Sequence, residues 1–173
     1  MNERHEAAQP TSPEQILARL EALGIASRSF RHPPVFTVEE AKALRGELSG
    51  AHIKNLFLRN KKGQMWLVTC LEDRPIDLKA LAAALGAGRF SFGSAERLMT
   101  YLGVQPGSVT PLAVINDGAG KVAVVLDKAL LEFDEVNCHP LVNDMTTTLS
   151  AEGLVAFLEA EGHPPRVLDF DAL

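Results

Sequence analysis

The residue whose surroundings most clearly suggest chemistry is Lys54, which lies inside the apolar run at residues 53–58. If this run is a β-strand, side chains alternate between its faces, and Lys54 shares a face with Leu56 and Leu58. Apolar residues on both faces are typical of a buried, central strand, where an ammonium group is costly unless it meets an anion or carbonyl oxygens. Two interpretations are open: a functional lysine that holds such a group, or a lysine at the first residue of the strand whose ammonium group reaches water.

A second candidate is the segment at residues 107–111, which follows a helix terminator and has the sequence Gly-Ser-Val-Thr-Pro. A glycine followed by small hydroxyl residues leaves backbone N–H groups open, and such a loop can hold an oxyanion or a ribose hydroxyl. The alternative is a plain connection from a helix to a strand, which is the commoner use of such segments. As a binding loop, the segment would contribute Gly107, Ser108, Val109, Thr110 and Pro111.

Histidine and cysteine supply the third set of candidates. His139 could act as a general base or bond a ribose hydroxyl, although a lone histidine beside a proline is more often structural. Cys70 and Cys138 could belong to a cysteine–histidine nucleophile, but such cysteines are more often small buried apolar residues. The five histidines include no pair at metal-ligand spacing, and the adjacent Cys138 and His139 rarely form a zinc site alone. We therefore expect neither a metal nor a cofactor.

Charge is distributed unevenly along the 173 residues, whose net charge is −5. Residues 28–62 include eight basic and three acidic side chains, whereas residues 132–173 include one basic and nine acidic side chains. A positive face of this kind could steer a polyanion, although the same charges could simply be solvated surface. The negative net charge argues against a general nucleic-acid coat.

Five helices are predicted around these candidates, each from a capping residue and an apolar stripe. The first four end near residues 24, 48, 86 and 103, and the five N-caps are Ser12, Thr37, Asp77, Ser94 and Ser150. Residues 1–11 are polar, lack the apolar core of a signal peptide and are interpreted as a flexible arm.

Predicted strands lie between the helices and form two hairpins. Residues 53–58 and 65–70 flank a polar turn, and residues 112–115 and 122–126 flank an Asn-Asp-Gly turn. Residues 145–149 and 166–170 are further strand candidates. Since there are few strand–helix–strand units, we predict one α+β domain over residues 1–173, with a mixed, largely antiparallel sheet flanked by helices. No apolar run reaches the roughly 18 residues of a membrane span, and two isolated cysteines suggest reduced thiols in a cytoplasmic protein.

Several motifs of the chain follow the order in which they occur in a known family. They are residues 54–58 with the charged turn and Trp66, residues 90–94 with Leu98, residues 102–104, residues 107–111, Asn116-Asp117, and Phe133 ahead of residues 139–143 and 146–148. In this order they resemble the YbaK and prolyl-tRNA-synthetase-associated editing domains, over about residues 24–158. Within that family the chain resembles most the free-standing ProX or PrdX branch, whose members are similar to alanyl-tRNA(Pro) deacylases.

The resemblance implies a mixed, barrel-like sheet with surrounding helices. It also implies hydrolysis of the ester between a wrong amino acid and the terminal adenosine of tRNA. The family has a functional lysine where Lys54 stands, a Gly-x-x-x-Pro loop at residues 107–111 and usually a histidine at His139. Cys138 is less typical, because bulkier apolar residues also occur there, and a role in lining the pocket would affect which amino acid fits.

From the residues and the resemblance together we predict the members of the site. The catalytic residues are Lys54, Gly107 and His139. Substrate binding is assigned to His32, Asn55, Ser108, Val109, Thr110, Pro111, Cys138 and Asn143. Binding of tRNA is assigned to Arg28, Arg31, Arg45, Arg59, Lys61 and Lys62.

In the mechanism that we expect, Lys54 holds the terminal nucleotide and the N–H groups of residues 107–110 stabilise the carbonyl oxygen. Water then attacks with the help of a ribose hydroxyl that His139 orients. Ala-tRNA(Pro) is the expected substrate, because a site that admits alanine and excludes proline supplies discrimination that a synthetase pocket lacks. The alternatives are a non-catalytic module that binds aminoacyl-tRNA, or a deacylase for Cys-tRNA(Pro) or Ser-tRNA(Ala).

The partners that we expect are the acceptor end of tRNA and, as a second candidate, prolyl-tRNA synthetase. We expect a monomer or a homodimer that is not bound to a membrane.

Overall fold

The computed structural model describes residues 10–34, 37, 39 and 49–173. Most of the helix predicted from Thr37 to residue 48 and most of the predicted N-terminal arm lie outside these residues, as does Arg45. The four other predicted helices are confirmed: α1 Pro13–Ala22, α2 Leu78–Leu85, α3 Ala95–Leu102 and α4 Ala151–Ala160.

Local capping explains why these four helices begin where the sequence places them. Ser12 and Gln15 form a reciprocal capping box at the start of α1. Asp77, Ser94 and Ser150 accept backbone N–H groups at the starts of α2, α3 and α4. Helices α2 and α3 end at glycines in the left-handed conformation, where a side chain would be strained.

In the described part of the chain, eight strands form one mixed sheet in the order β1-β7-β6-β2-β3-β5-β8, with β4 paired to β2. Among the pairings of the described strands, four are antiparallel (β1–β7, β2–β3, β2–β4 and β6–β7) and three are parallel (β2–β6, β3–β5 and β5–β8). The predicted α+β class with a mixed sheet is therefore confirmed. The strands are β1 Ser27–Arg31, β2 Ala51–Arg59, β3 Met65–Leu71, β4 Ser91–Phe92, β5 Val122–Asp127, β6 Glu135–Cys138, β7 Met145–Ser150 and β8 Arg166–Leu168.

Two apolar cores lie on the two faces of this sheet. The main core joins β2, β3, β5, β6 and β7 to helices α1, α3 and α4. The second core packs α2 and the C-terminal turn against the other face of β2, β3 and β5. Within the described residues, no helix has the length and hydropathy needed to cross a bilayer.

The prediction of a strand at residues 112–115 is wrong. Pro111–Asn116 is a 3-10 helix that begins at Thr110, whose side chain accepts the N–H of Leu112. Residues 111–114 are all buried, and a short apolar run buried on every side has no periodicity that distinguishes a strand from a helical turn. The second predicted hairpin is therefore absent, and β5 pairs in parallel with β3.

The last predicted strand is shorter than expected. Strand β8 ends at Leu168, and Asp169 then caps the 3-10 turn Phe170–Ala172.

The edges of β2 differ in a way that shapes the site. Strand β3 pairs with one edge from Ile53 to Arg59. On the other edge, β6 pairs only with residues 51–52 and β4 only with residues 58–59. No described strand pairs with residues 53–56 on that side, and we call this stretch the open edge of β2.

Candidate active site

Lys54 lies on the open edge of β2, directly opposite Cys70 on β3. Strand β2 begins at Ala51, so Lys54 is not its first residue, and its half-buried side chain does not simply extend into water. Its ammonium group donates a hydrogen bond to the backbone carbonyl of Arg74. Of the two sequence interpretations, the structure thus favours a lysine that is held by a carbonyl oxygen.

Arg74 is itself anchored by charges and by an aromatic ring. Its Nε donates to the buried Oδ2 of Asp127 at 2.7 Å, and its Nη1 donates to the exposed Asp171 at 2.9 Å. The guanidinium carbon also lies 5.5 Å from the centre of the Phe170 ring, within cation–π range. The carbonyl that holds Lys54 is therefore part of a segment fixed by the C-terminal turn.

Asn55 connects β2 to the loop at residues 107–111. Its Nδ2 donates to the carbonyl of Val109 at 3.1 Å, and its Oδ1 accepts from the Thr69 hydroxyl at 2.6 Å. Neighbouring residues of a strand face opposite sides, so Lys54 and Asn55 leave β2 on opposite faces. The described contacts bring the loop to Asn55 and do not bring it to Lys54.

The loop itself is tightly folded. Gly107 has a φ of 94°, a conformation that favours glycine. The N–H of Ser108 donates to the carbonyl of Gln105 at 2.9 Å, so this group is not free to bind an oxyanion as predicted. Thr110 and Pro111 are buried and begin the 3-10 helix. For Gly107, Val109 and Thr110 the role of N–H donors stays a prediction.

His139 lies on the same side as Lys54. The last paired residues of β2 and β6 are His52 and Asn137, and Lys54 and His139 each come two residues later. By alternation both side chains leave on the face of that pair, at the point where the two strands part. The structure thus places two of the three predicted catalytic residues at one opening in the sheet.

The tautomer and charge of His139 follow from its partners. Its Nδ1 lies 3.1 Å from the carbonyl of Met145, which can only accept, so Nδ1 carries the proton and Nε2 offers a lone pair. Burial lowers the pKa of His139, against the opposing effect of the Met145 carbonyl, and the nearby His32 lowers it further. The neutral imidazole is therefore favoured at neutral pH, as a hydrogen-bond acceptor.

His32 completes this side of the site. Its ring centre lies 6.4 Å from that of His139. Its Nε2 lies 2.8 Å from the Thr146 hydroxyl, and its Nδ1 lies 2.8 Å from the carbonyl of Pro33. Asn143 is half-buried in the connection between β6 and β7.

Cys138 does not occupy the position that the sequence analysis assigned to it. It is 2% exposed and belongs to the main core, on the opposite face of β6 from His139. Burial raises the pKa of its thiol to about 12, and burial likewise raises that of Cys70 to about 11. Both cysteines are thus buried apolar residues, and neither is an activated nucleophile.

The predicted tRNA-binding residues fall into separate groups. Arg28 and Arg31 lie on the exposed edge strand β1, where Arg28 forms two hydrogen bonds of 2.8 Å with Glu135. These bonds raise the pKa of Arg28 and lower that of Glu135. Lys61 and Lys62 are exposed in the turn after β2, next to Arg59. Part of the positive charge counted in the sequence is therefore already neutralised.

Sequence reasoning missed several polar residues that build the site. Besides Arg74 and Asp127, the buried Asn137 donates to the carbonyls of Ser49 and Ala51 and accepts from the Thr148 hydroxyl, which joins the start of β2 to β6. A signal for Asp127 was present, since it directly follows the strand predicted at residues 122–126.

A sequence profile described as the aminoacyl-tRNA editing domain matches residues 32–157. The chain belongs to this family. It is 44% identical over 158 residues to the prolyl-tRNA synthetase associated domain-containing protein 1 of Bos taurus, an alignment that covers 88% of this chain and 92% of the bovine protein. It is 38% identical over 157 residues to the prolyl-tRNA editing protein ProX of Acetoanaerobium sticklandii, covering 90% of this chain and 96% of ProX.

The fold of this editing domain also matches a solved structure. A crystal structure described as that of a candidate trans-editing enzyme for prolyl tRNA synthetase superposes with a TM-score of 0.70 at 21% identity. The superposition covers 91% of this chain and 94% of the other. At this level of identity the match supports the fold.

Proposed function

We propose that this editing domain hydrolyses the ester of mischarged tRNA, with Ala-tRNA(Pro) as its substrate. The observation that carries the proposal is the register of β2 and β6, which puts Lys54 and His139 on one face, each two residues beyond the last pair, in a chain of the aminoacyl-tRNA editing family. The similarity to a protein named prolyl-tRNA editing protein ProX supports the choice of tRNA(Pro).

Lys54 supplies a positive charge to the substrate. Its present partner is a neutral carbonyl oxygen, and a phosphate or ester oxygen of the terminal nucleotide is a stronger partner for an ammonium group. Its role is to position charge, since an ammonium group has no lone pair with which to attack. The terminal nucleotide thus replaces the Arg74 carbonyl as the partner of Lys54.

His139 supplies the complementary acceptor. The Nε2 of the neutral ring accepts a hydrogen bond from a ribose hydroxyl, and this hydroxyl in turn orients the attacking water. Water adds to the ester carbonyl, the bond to the ribose oxygen breaks, and the products are a free amino acid and a tRNA with free terminal hydroxyls. In this proposal, N–H groups of the loop beside Asn55 stabilise the carbonyl oxygen as charge develops on it.

The test is a deacylation panel with Ala-, Cys- and Pro-tRNA(Pro) and Ser-tRNA(Ala). We expect turnover of Ala-tRNA(Pro) and little hydrolysis of Pro-tRNA(Pro). Lys54→Ala lowers kcat/KM by at least about 10-fold, equivalent to 1.4 kcal/mol of barrier. Lys79→Ala, which removes an exposed lysine from the first turn of α2, is the matched control and leaves the rate unchanged.

The outcomes separate the alternatives. Equal rates for the wild type and Lys54→Ala refute the role given to Lys54. Preference for Cys-tRNA(Pro) or Ser-tRNA(Ala) would change the substrate but keep the reaction. Stoichiometric binding without turnover on any substrate would identify a binding module and refute the enzyme.

A further inference from the structure

Phe92 is an aromatic side chain that no part of the proposed chemistry uses. It is 60% exposed, although it lies on β4 in direct register with Leu58 of β2. Residues in register share a face, and Leu58 shares its face with Lys54 by alternation. Phe92 therefore stands on the Lys54 side of β2, at the far end of the open edge. Four residues of strand separate Lys54 from Leu58, or about 13 Å.

The segments that carry Phe92 and its partner Leu58 are basic and contain no acidic residue. Arg59 pairs with Ser91, and the turn that carries Lys61 and Lys62 follows directly. Arg89 is exposed just before β4. Residues 53–71 and 78–95 contain no aspartate or glutamate. Arg59 itself leaves β2 on the opposite face from Leu58 and Phe92. We name Phe92, Lys61, Lys62 and Arg89 the aromatic–basic patch.

The patch is held rigidly by the side chain of Asn60, which is 4% exposed. Its Oδ1 accepts the N–H groups of Lys62 and Gln64, and its Nδ2 donates to the carbonyl of Ala87 at 3.0 Å. The turn after β2 and the segment before β4 are therefore fixed to each other. A surface ordered in advance loses less entropy when a ligand binds.

The composition of the patch suits a chain of phosphates and bases. Lys61, Lys62 and Arg89 are exposed cations that can pair with phosphates, and the exposed Phe92 ring can stack on a base.

We propose that the aromatic–basic patch binds the single-stranded RNA that precedes the terminal adenosine, with a base stacked on Phe92. The proposal rests on the proposed function for its choice of RNA. A terminal adenosine held at Lys54 does not itself reach Phe92, whereas the strand on its 5′ side can follow the open edge of β2 to the patch. The patch therefore contributes to the KM for tRNA and leaves the chemical step unaffected.

The test compares Ala-tRNA(Pro) with alanyl-adenosine, a substrate that lacks the preceding nucleotides. We expect Phe92→Ala to raise the KM for Ala-tRNA(Pro) about 10-fold with kcat nearly unchanged. Phe92→Trp, which keeps a ring for stacking, restores the KM. The loss is confined to the RNA substrate, and hydrolysis of alanyl-adenosine is the internal reference.

Charge and exposure have separate controls. Lys61→Gln combined with Lys62→Gln also raises the KM. The double variant makes the slope of log K against log salt concentration shallower by about one to two. Val167→Ala removes a side chain that is 44% exposed on the edge strand β8, which β3 and β5 separate from β2, and leaves both substrates unaffected. Thermal melts of each variant verify folding.

Three results would overturn the proposal: an unchanged KM in Phe92→Ala, an equal loss on alanyl-adenosine, or no rescue by Phe92→Trp. If the wild type hydrolyses neither substrate, the proposed function fails, and the patch is judged by fluorescence anisotropy with uncharged tRNA. If the patch variants and Val167→Ala then bind uncharged tRNA with the same affinity, the patch is rejected as an RNA surface. A patch that binds a protein instead would give this result.

Discussion

The two carboxylates that hold Arg74 differ in burial, which makes them a matched pair for mutation. The Asp127 side chain is 1% exposed and accepts from Arg74 at 2.7 Å, whereas the Asp171 side chain is 80% exposed and accepts from the same guanidinium at 2.9 Å. Asp127 also accepts the N–H groups of Leu71 and Ala129. We predict that Asp127→Asn is much more destabilising than Asp171→Asn.

The expected loss of unfolding free energy depends on which partners of Arg74 remain after each substitution. Asn at position 127 removes the charge opposite Arg74 and turns one acceptor into a donor in a site closed to water. Losing one partner of a buried ion pair costs about 3–5 kcal/mol. Because Arg74 keeps Asp171, we expect the lower end, about 3 kcal/mol. An exposed pair such as Arg74–Asp171 contributes under about 1 kcal/mol.

Urea unfolding of the wild type and the two variants measures this difference, provided that the slope with urea concentration is unchanged. The reasoning is refuted if Asp127→Asn loses less than Asp171→Asn, or if neither changes the midpoint.

A functional consequence can be measured on the same proteins. Because the Arg74 carbonyl accepts from Lys54, loosening Arg74 should lower the deacylation rate, and it should do so only while Lys54 is present. A double-mutant cycle of Asp127→Asn with Lys54→Ala should therefore be non-additive in kcat/KM. Additive effects would show that Asp127 acts on the fold alone.

Three further predictions concern the core and the loop. The carboxylate of Asp117, 2.9 Å from Nε2 of His163, raises the pKa of this buried histidine above its unfolded value of about 6.5. The pair therefore stabilises the folded state fully below pH 6.5. The wild type should exceed His163→Gln in unfolding free energy there, and this excess should shrink as the pH rises through the raised pKa of the folded state. A difference that stays constant with pH in urea titrations would contradict this. Gly93→Ala would place a methyl group 2.5 Å from the buried Phe57 ring and should cost about 2 kcal/mol, seen as a lower Tm, with an unchanged Tm as the contrary result. Asn55→Ala removes the hydrogen bond to the loop and should speed hydrogen exchange in residues 107–110, and unaltered protection would show that other contacts hold the loop.

Local signals predicted the helices well and the irregular segments poorly. A capping box such as that of Ser12 and Gln15 acts over three residues, so the sequence contains all of its information. The 3-10 helix Pro111–Asn116 was missed because its burial depends on α3 and α4, which pack around it. Strand β1 was missed for the opposite reason: all five residues are exposed, and only its pairing with β7 makes it a strand.

The site shows the same division. The position of Lys54 in an apolar strand was sufficient to predict that it needs a partner, but the partner is a backbone carbonyl 20 residues away that no residue type reveals. Arg28 was counted as free charge, and its Glu135 partner lies 107 residues away. Cys138 was assigned to the pocket from the family resemblance, and recognition of strand β6 would have placed it on the opposite face from His139.

The open edge of β2 explains how one site can use groups on both faces of a strand. Lys54 and Asn55 point in opposite directions, and a sheet paired along its whole length would keep their partners apart. Strand β6 stops at residues 51–52 and β4 begins at residues 58–59, so the edge between them is open to a substrate. The carbonyl of Phe57 accepts the N–H of Gly93 on this edge. Alternate residues of a strand direct their backbone N–H and C=O groups to the same edge, so those of Asn55 also point to the open edge. In the proposed reaction, an ester that lies across this edge would meet Lys54 on one side and the loop at residues 107–110 on the other. The site therefore depends on where the neighbouring strands end as much as on the lysine itself.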